Sequence, residues 1–162
     1  MRGFEVVSIY QKKGVKLPKR QTEHSAGYDL ELIEDIVLEP HEVKAGKTGL
    51  KAYMESDEVL YIYPRSSLAV GKKRKLKNGN VEECFVTLPN NVGVIDADYY
   101  NNLNNEGHIQ ILLYNFGKST VHLEKGERVA QAIFSKYLTC ENEQVILKKR
   151  TGGFGSTDKK QN

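Results

Sequence analysis

Short apolar stretches separated by turn sequences fill most of this chain. The stretches at 58–63 and 109–114 are rich in β-branched and aromatic residues, which favours strands. Glycine and asparagine mark turns between such stretches, as in Asn78-Gly79-Asn80 and Lys125-Gly126. Chains with many short strands and regular turns form sandwiches or barrels. The sequence therefore predicts an all-β fold, either a sandwich or a barrel.

The length of the chain indicates how many domains it forms. With 162 residues it suits one domain with a single core. We predict that this β domain covers residues 1–149 and that residues 150–162 form a flexible, glycine-containing tail. A short helix is expected at 66–71. Two surface excursions interrupt the strand pattern, a basic hairpin at 72–83 and an Asn-rich loop at 101–106.

Composition argues against several classes of protein. Hydrophobic residues make up 39% and charged residues 28%, which disfavours both disorder and a membrane protein. The first residues are too polar for a secretory signal. Cys84 and Cys140 form no zinc-ligand pattern with the histidines. A disulfide stays open, but two free thiols in a reducing compartment are the simpler interpretation, so we expect a cytoplasmic location and no membrane partner.

The net charge is only +3, and much of the excess lies in the run Lys72-Lys73-Arg74-Lys75. A nucleic-acid-binding protein needs basic residues spread over a face. We therefore expect no nucleic-acid partner. The simpler interpretation of the run is a solvated hairpin. A surface for a partner molecule is the alternative.

Two stretches carry groups suited to phosphate. Arg65, Ser66 and Ser67 follow a strand, and an arginine fork with neighbouring hydroxyls suits an oxyanion, especially where a helix begins. The alternative is an ordinary helix cap made by a serine. Gln131, after a glycine turn, offers a side-chain amide.

Two carboxylates are candidates for catalysis and for a metal. Asp96 follows the apolar residues Val94 and Ile95, where a carboxylate can orient and deprotonate a water molecule. Asp29, after Gly27, can help hold Mg²⁺ through water. Taken alone, the stretch around Asp96 also fits a strand, a turn at the aspartate and a second strand, and the stretch around Asp29 also fits a turn followed by a strand.

The tail places an aromatic ring among glycines. Phe154 lies between Gly153 and Gly155, with Arg150 before it and Ser156 after it. Such a segment can fold over a ligand, so that the ring stacks on a base while backbone N–H groups approach phosphate. An unstructured glycine-rich tail is the alternative.

These stretches occur in a fixed order, and together they resemble the five motifs of the trimeric all-β dUTP pyrophosphatase (dUTPase) family. The matching segments are Ala26–Leu30, Pro64–Ala69, Gly93–Tyr99, Gly126–Phe134 and Gly152–Thr157. The resemblance implies a distorted, jelly-roll-like β-barrel, the β-clip fold of the dUTPase type, with a flexible C-terminal tail. It also implies hydrolysis of dUTP to dUMP and pyrophosphate, which lowers dUTP and supplies dUMP for thymidylate synthesis.

The resemblance also implies roles for residues near the base and sugar. Asp96 would activate the water that attacks the α-phosphorus. Tyr99 would pack under the deoxyribose and leave no room for a 2′-hydroxyl. Asn90 and the backbone around Val94 and Ile95 would recognise uracil.

For the phosphates, the resemblance implies contacts from Arg65, Ser66, Ser67 and Gln131. Asp29 would lie near the water shell of Mg²⁺, the implied cofactor. Phe154 would stack on uracil while Gly155 and Ser156 close over the phosphates, and Arg150 would approach the γ-phosphate. The family pattern implies a homotrimer whose sites are shared between subunits.

The sequence also departs from the family pattern. The stretch between Ser67 and Asn90 is longer than in compact members, and an asparagine, Asn101, replaces a glycine. Arg150 lies one residue closer to the tail glycines than is usual, which weakens its assignment to the γ-phosphate. Asp158 replaces the final glycine. The two insertions are candidate surfaces for a protein partner.

Two rival functions remain. A dCTP deaminase has a similar fold and an Arg-Ser-Ser motif, but it needs a glutamate as proton shuttle where this chain has Asp96 and Tyr99. A regulatory binding module would use the insertions to contact a protein, which is compatible with catalysis.

Overall fold

The computed structural model describes residues 1–144, and most of them lie in short antiparallel strands or in the turns between them. Within this part of the chain the strands are β1 (Gly3–Val6), β2 (Tyr28–Glu31), β3 (Ile36–Leu38), β4 (Val43–Lys47), β5 (Leu50–Tyr53), β6 (Glu58–Pro64), β7 (Lys72–Lys75), β8 (Val81–Cys84), β9 (Val86–Thr87), β10 (Gly93–Asp96), β11 (Gln110–Asn115), β12 (Val121–Leu123) and β13 (Arg128–Lys136). The helices are α1 (Ser66–Ala69) and the 3-10 turns Ser8–Tyr10 and Ala97–Tyr99. The predicted all-β fold is confirmed.

The strands form several small sheets. The orders are β10-β6-β13-β2, β4-β11-β9, β1-β5, β12-β3 and β7-β8. Within residues 1–144 these sheets do not join into a closed barrel. Because most strands span only two to five residues, each pairs with few neighbours before a turn redirects the chain. The architecture is therefore a set of packed sheets.

One apolar core lies between the sheets. Its members include Leu30, Leu60, Ile109 and Leu113, which are fully buried. Strand β11 alternates partly exposed and buried residues along its length, as expected when one face of a strand packs on a core. Burial of each such side chain contributes about 1.5–3 kcal/mol.

The four-stranded sheet determines where the candidate site residues lie. Strand β13 pairs with β2 on one side and with β6 on the other. This pairing places Gln131 opposite both Asp29 and Tyr63. On the far side of β6, the edge strand β10 places Asp96 opposite Val59.

The two sequence excursions take defined shapes. Residues 72–84 form the β7–β8 hairpin, turned at Gly79 with φ of +89°. Residues 101–107 form a compact loop after the 3-10 turn Ala97–Tyr99. The predicted tail, 150–162, lies outside the described residues.

Two further findings bear on the expectations for cellular context. Cys84 is buried, Cys140 is exposed, and both are free thiols. Within residues 1–144 the structure contains no helix that is long and apolar enough to span a membrane.

Candidate active site

Arg65 comes directly after β6 and is the residue that precedes α1. Its backbone is extended, with φ of −93° and ψ of 127°, and no side chain caps this helix. Ser66 and Ser67 are exposed in the first turn. The alternative of a serine cap is therefore not what the structure shows. Because both serines are exposed, an incoming anion can reach them.

Asp29 holds two arginines beside this turn. Its Oδ1 lies 3.2 Å from Nε of Arg65, and its Oδ2 lies 3.0 Å from Nη1 of Arg128. Arg65 also donates through Nη1 to the carbonyl of Arg128, at 3.1 Å. The Asp29 side chain is only 10% exposed, and a carboxylate so buried needs paired charges. One carboxylate therefore fixes two guanidinium groups at the end of β6.

Gln131 lies next to this cluster because of strand register. Its Nε2 donates to the carbonyl of Pro64 at 3.4 Å, a long hydrogen bond that a better acceptor can replace. A Cβ atom at Gly27 would approach Oε1 of Gln131 to 2.6 Å. Only glycine at position 27 leaves room for this amide as it lies here.

A cavity of about 350 Å³ opens beside the cluster. The side chains that line it are Arg65, Ser67, Leu68, Lys72, Lys73, Arg74, Glu127 and Arg128. Three arginines here face three carboxylates, so their charges cancel as a group: Asp29 lies between Arg65 and Arg128, and both Glu82 and Glu127 contact Arg74. The remaining positive charge is on Lys72 and Lys73. The cavity therefore favours an anion.

A larger cavity, of about 600 Å³, lies between the hairpin and β12. Phe85, Phe116 and Val121 line much of it, and none of the predicted site residues does. Its size exceeds that of the cationic cavity. Its lining includes one lysine and one serine, Lys118 and Ser119, but no arginine, so we place the site at the cationic cavity.

Asp96 is the last residue of β10, and its backbone is extended, with φ of −80° and ψ of 157°. The side chain is partly buried. Val94, two residues earlier, is 55% exposed, whereas Ile95 packs against the core. Asn90 is exposed in the turn that leads into the strand.

Strand β10 forms an edge of the four-stranded sheet. Alternate residues of an edge strand direct their N–H and C=O groups away from the sheet. A planar base with its own donors and acceptors can pair with such an edge. The backbone around Val94 and Ile95 is therefore suited to recognition of a base.

Tyr99 is 5% exposed and lies one 3-10 turn beyond Asp96. Its hydroxyl donates to the carbonyl of His108 at 3.1 Å and accepts from Nδ2 of Asn105 at 2.9 Å. His108 is itself buried, and its Nε2 accepts the backbone N–H of Gly49 at 3.0 Å. Burial lowers the pKa of His108, and the charge of Lys47 lowers it further.

The Asp96 group and the Arg65 group lie at opposite ends of β6. Asp96 pairs with Val59, near the start of that strand, whereas Arg65 follows its last residue. Six residues of extended strand span roughly 20 Å. A single protomer therefore keeps the two groups far apart.

Comparison with known proteins identifies the family. A family model described as dUTPase matches residues 13–158. The chain belongs to the dUTPase family. A deoxyuridine 5′-triphosphate nucleotidohydrolase of Lactococcus lactis is 49% identical, with 97% of each chain covered. The enzyme class is accordingly that of a dUTP nucleotidohydrolase, a hydrolase of nucleotide metabolism.

Solved dUTPase structures share the fold. A dUTPase from Streptococcus mutans is 44% identical, with a TM-score of 0.73, and the match covers 86% of this chain and 99% of that one. A dUTPase from phage phi11 of S. aureus is 20% identical, with a TM-score of 0.67, and the match covers 90% and 96%. That phage protein is described with a structural Mg(II) ion.

For a dUTPase, the motif residues divide into two sets in this structure. Asn90, Val94, Ile95 and Tyr99 lie with Asp96, while Ser66, Ser67, Gln131 and Asp29 lie with Arg65. The tail residues Arg150, Phe154, Gly155 and Ser156 lie outside the described residues.

Several residues that lie near the two sets were not predicted from the sequence as part of the site. Arg128 was not considered, although a basic residue three positions before Gln131 was a signal. Lys72 and Lys73 were noted only as a charge run. Asn105 and His108 carried no signal of their contact with Tyr99.

Proposed function

We propose that this chain hydrolyses dUTP to dUMP and pyrophosphate, lowering dUTP and supplying dUMP for thymidylate synthesis. The observation that carries the proposal is the pair of arginines fixed by Asp29 beside a cationic cavity, on the same sheet as Asp96. The first set of groups suits a polyphosphate, and the second suits a nucleoside with a water molecule to activate.

Asp96 is the general base of the proposed reaction. It accepts a proton from a water molecule, and the oxygen of that water attacks the α-phosphorus as the bond to pyrophosphate breaks. Its place after the exposed edge of β10 supports this role, since a base bound along the edge brings its sugar and α-phosphate towards the strand end.

Arg65, Arg128, Gln131 and the hydroxyls of Ser66 and Ser67 bind the phosphates in this proposal. Because Asp29 holds both arginines, their charges are in place before the substrate arrives, and little reorganisation is needed as negative charge develops on the leaving group.

The described residues suit Mg²⁺ only as part of a chelate with the substrate. Within residues 1–144 no group of three His, Cys, Asp or Glu side chains could hold a metal. Mg²⁺ keeps several waters and usually binds through one or two carboxylates and substrate phosphates. Asp29 retains lone pairs beyond its two arginine contacts, so it can accept a hydrogen bond from a metal-bound water. When bound, the ion neutralises charge on the leaving pyrophosphate.

Base and sugar selection fall to the Asp96 group. We assign uracil recognition to Asn90 and to the exposed backbone of Val94 and Ile95, in a pocket without space for the thymine methyl group. Tyr99 forms the wall that excludes a 2′-hydroxyl. The tail residues Phe154, Gly155 and Ser156 cover the substrate, and Arg150 approaches the γ-phosphate.

The separation of the two groups supports a homotrimer with shared sites. Roughly 20 Å of β6 lies between Asp96 and Arg65, whereas the α- and γ-phosphorus atoms of one triphosphate are only a few ångströms apart. A complete site therefore takes Asp96 from one chain and Arg65 from another. The free thiols of Cys84 and Cys140 support a cytoplasmic location. A protein partner at the insertions stays a prediction, as does the absence of a nucleic-acid partner.

The test is pyrophosphate release from dUTP, dCTP, dTTP and UTP, with Mg²⁺ and with EDTA. We expect metal-dependent release from dUTP alone. Asp96→Asn should lower kcat by about 10²-fold or more while dUTP still binds, because the lost group is the base. Asp98→Asn, two residues away, is the charge-matched control. Ammonia from dCTP, or full activity in Asp96→Asn, would contradict the proposal.

A further inference from the structure

The Asn-rich loop folds onto Tyr99. Asn102 is 7% exposed, and its Nδ2 donates to the carbonyl of Tyr99 at 2.9 Å. Its Oδ1 accepts the backbone N–H groups of Asn104 and Asn105 at 3.0 and 3.2 Å. The amide of Asn102 thus links the loop backbone to the backbone of the tyrosine. An insertion that served only as an outer surface would have no need of such a buried amide.

Asn105 holds the other end of the tyrosine. Its Nδ2 donates to the Tyr99 hydroxyl at 2.9 Å. Its Oδ1 accepts from the N–H of Gly107 at 3.0 Å and from Nδ2 of Asn102 at 2.8 Å. Since the hydroxyl also donates to the carbonyl of His108, the phenol is fixed through both its donor and an acceptor site.

The loop is anchored to the rest of the protein at its base. Nζ of Lys51 lies 2.6 Å from Oδ1 of Asn101 and 3.2 Å from Oε2 of Glu106. The Glu106 carboxylate also accepts the backbone N–H of Ser8 at 3.2 Å. These contacts with Lys51 and Ser8 hold the loop in place against Tyr99.

The backbone of the loop is strained in order to reach this position. Asn101 and Glu106 have positive φ, of 53° and 59°. Gly107 has φ of +81°, and a Cβ there would lie 2.6 Å from the carbonyl of Tyr99. Strained residues persist where the surrounding contacts determine their conformation, and such strain is common at functional sites.

We propose that Asn105 is a positioning residue for sugar selection, which rests on the proposed role of Tyr99 beneath the deoxyribose. A 2′-hydroxyl adds one oxygen atom to the substrate. A wall excludes so small a group only if the wall cannot move aside. The hydrogen bond from Asn105 removes that freedom from the ring of Tyr99, and the loop is thereby a specificity element of this enzyme.

Asn105→Asp separates this role from the folding of the loop. The aspartate keeps an acceptor oxygen for Gly107 and Asn102, but it has no N–H to donate to the Tyr99 hydroxyl. Because that hydroxyl has one proton, it can donate either to the His108 carbonyl or to the aspartate, and the phenol loses one of its two hydrogen bonds in either case. We expect the ratio of kcat/KM for dUTP to that for UTP to fall about two- to tenfold, the worth of one neutral hydrogen bond. Asn104→Asp is the control with the same charge change, because Asn104 is exposed. It should keep the wild-type ratio.

Tyr99→Phe keeps the ring but removes this hydrogen bond together with the one to the His108 carbonyl, so it should lower the ratio by at least the same factor. In the Tyr99→Phe background, Asn105→Asp should cause no further fall in the ratio, because its partner is gone. If Asn105→Asp does not fold, the ratio measured for Tyr99→Phe alone tests the inference.

An unchanged ratio in Tyr99→Phe or in Asn105→Asp would overturn the inference. So would equal losses for dUTP and UTP, since a merely structural role affects both substrates alike. Failure of the proposed function gives a different result, because the wild-type protein would then not hydrolyse dUTP at all.

Discussion

At the scale of single residues, bridging carboxylates hold the cationic side chains in place. Asp29 lies between Arg65 and Arg128, and Glu82 lies between Arg74 and His122. A carboxylate that is shared in this way fixes the direction of each guanidinium group. The arginines that face the cationic cavity are therefore oriented before any ligand binds.

His108 makes the stability of the fold depend on pH. Burial lowers its pKa in the folded protein, whereas the unfolded chain has an ordinary value of about 6.5. The unfolded state therefore binds the proton first as pH falls. The contribution of His108 to the stability of the fold is fully present above about pH 6.5, and it is lost as pH falls through the pKa that His108 has in the folded protein. The free energy of unfolding should therefore decrease as pH falls from about 6.5 through that pKa.

His108→Gln should flatten this dependence, because an amide oxygen can accept from Gly49 and does not titrate. The measurement is urea unfolding at a series of pH values between 8 and 5. His24→Gln serves as control, since the side chain of His24 is 92% exposed. Parallel loss of stability in wild type and His108→Gln would show that other groups cause the dependence.

Short local motifs in the sequence predict the candidate site residues, but they do not predict the side chains that hold those residues in place. Asp96 and Arg65 lie in short local motifs, so both were predicted as candidates. The contact of Arg128 with Asp29 joins residues 99 positions apart, and that of Arg65 with the Arg128 carbonyl joins residues 63 apart. Nothing local encodes such contacts, because they depend on how β2, β6 and β13 pair.

At the scale of elements, the β7–β8 hairpin is bound to the body of the protein through Arg74. Its Nε lies 3.1 Å from Oε1 of Glu82, and its other nitrogens contact Glu127 and the carbonyl of His122. The turn was predictable from Asn78-Gly79-Asn80. The sequence does not predict that Arg74 points towards the body of the protein, because the run of basic residues does not indicate which of them is turned inward.

This docking brings Lys72 and Lys73 to the cationic cavity, and they should contribute to triphosphate binding. Replacing both by glutamine should raise KM for dUTP about two- to fivefold at low salt, with a smaller difference at high salt, where exposed charges are screened. Steady-state kinetics at several salt concentrations measure the effect. Lys75→Gln changes an exposed lysine of the same strand that does not line the cavity. If Lys75→Gln has as large an effect per charge removed as the double variant, only the net charge of the hairpin matters.

At the scale of the whole molecule, the proposed function divides the groups of one protomer between two halves of a site. In this proposal the nucleoside half ends at Asp96 and the phosphate half begins at Arg65, with the length of β6 between them. Strands do not bend by such a distance, so motion within the chain cannot bring the halves together. Assembly of several chains can do so, because closed symmetry repeats every contact between different halves.

Mixing two inactive variants tests this arrangement directly. Asp96→Asn and Arg65→Ala chains should each be inactive or nearly so as single species. After unfolding and refolding at equal concentrations, a shared site can draw Asp96 from one variant and Arg65 from the other. Random assembly makes about a quarter of the sites intact. Pyrophosphate release from dUTP should recover to that fraction of the wild-type rate.

The matched control mixes wild type with the doubly substituted chain in the same way. Shared sites then give about a quarter of the wild-type rate, whereas sites contained in single protomers give about half, because every wild-type chain keeps its own. Both mixtures should therefore reach the same level if sites are shared. If the first mixture stays inactive while the second reaches half, each protomer has a complete site, and β6 does not separate the groups that act on one substrate.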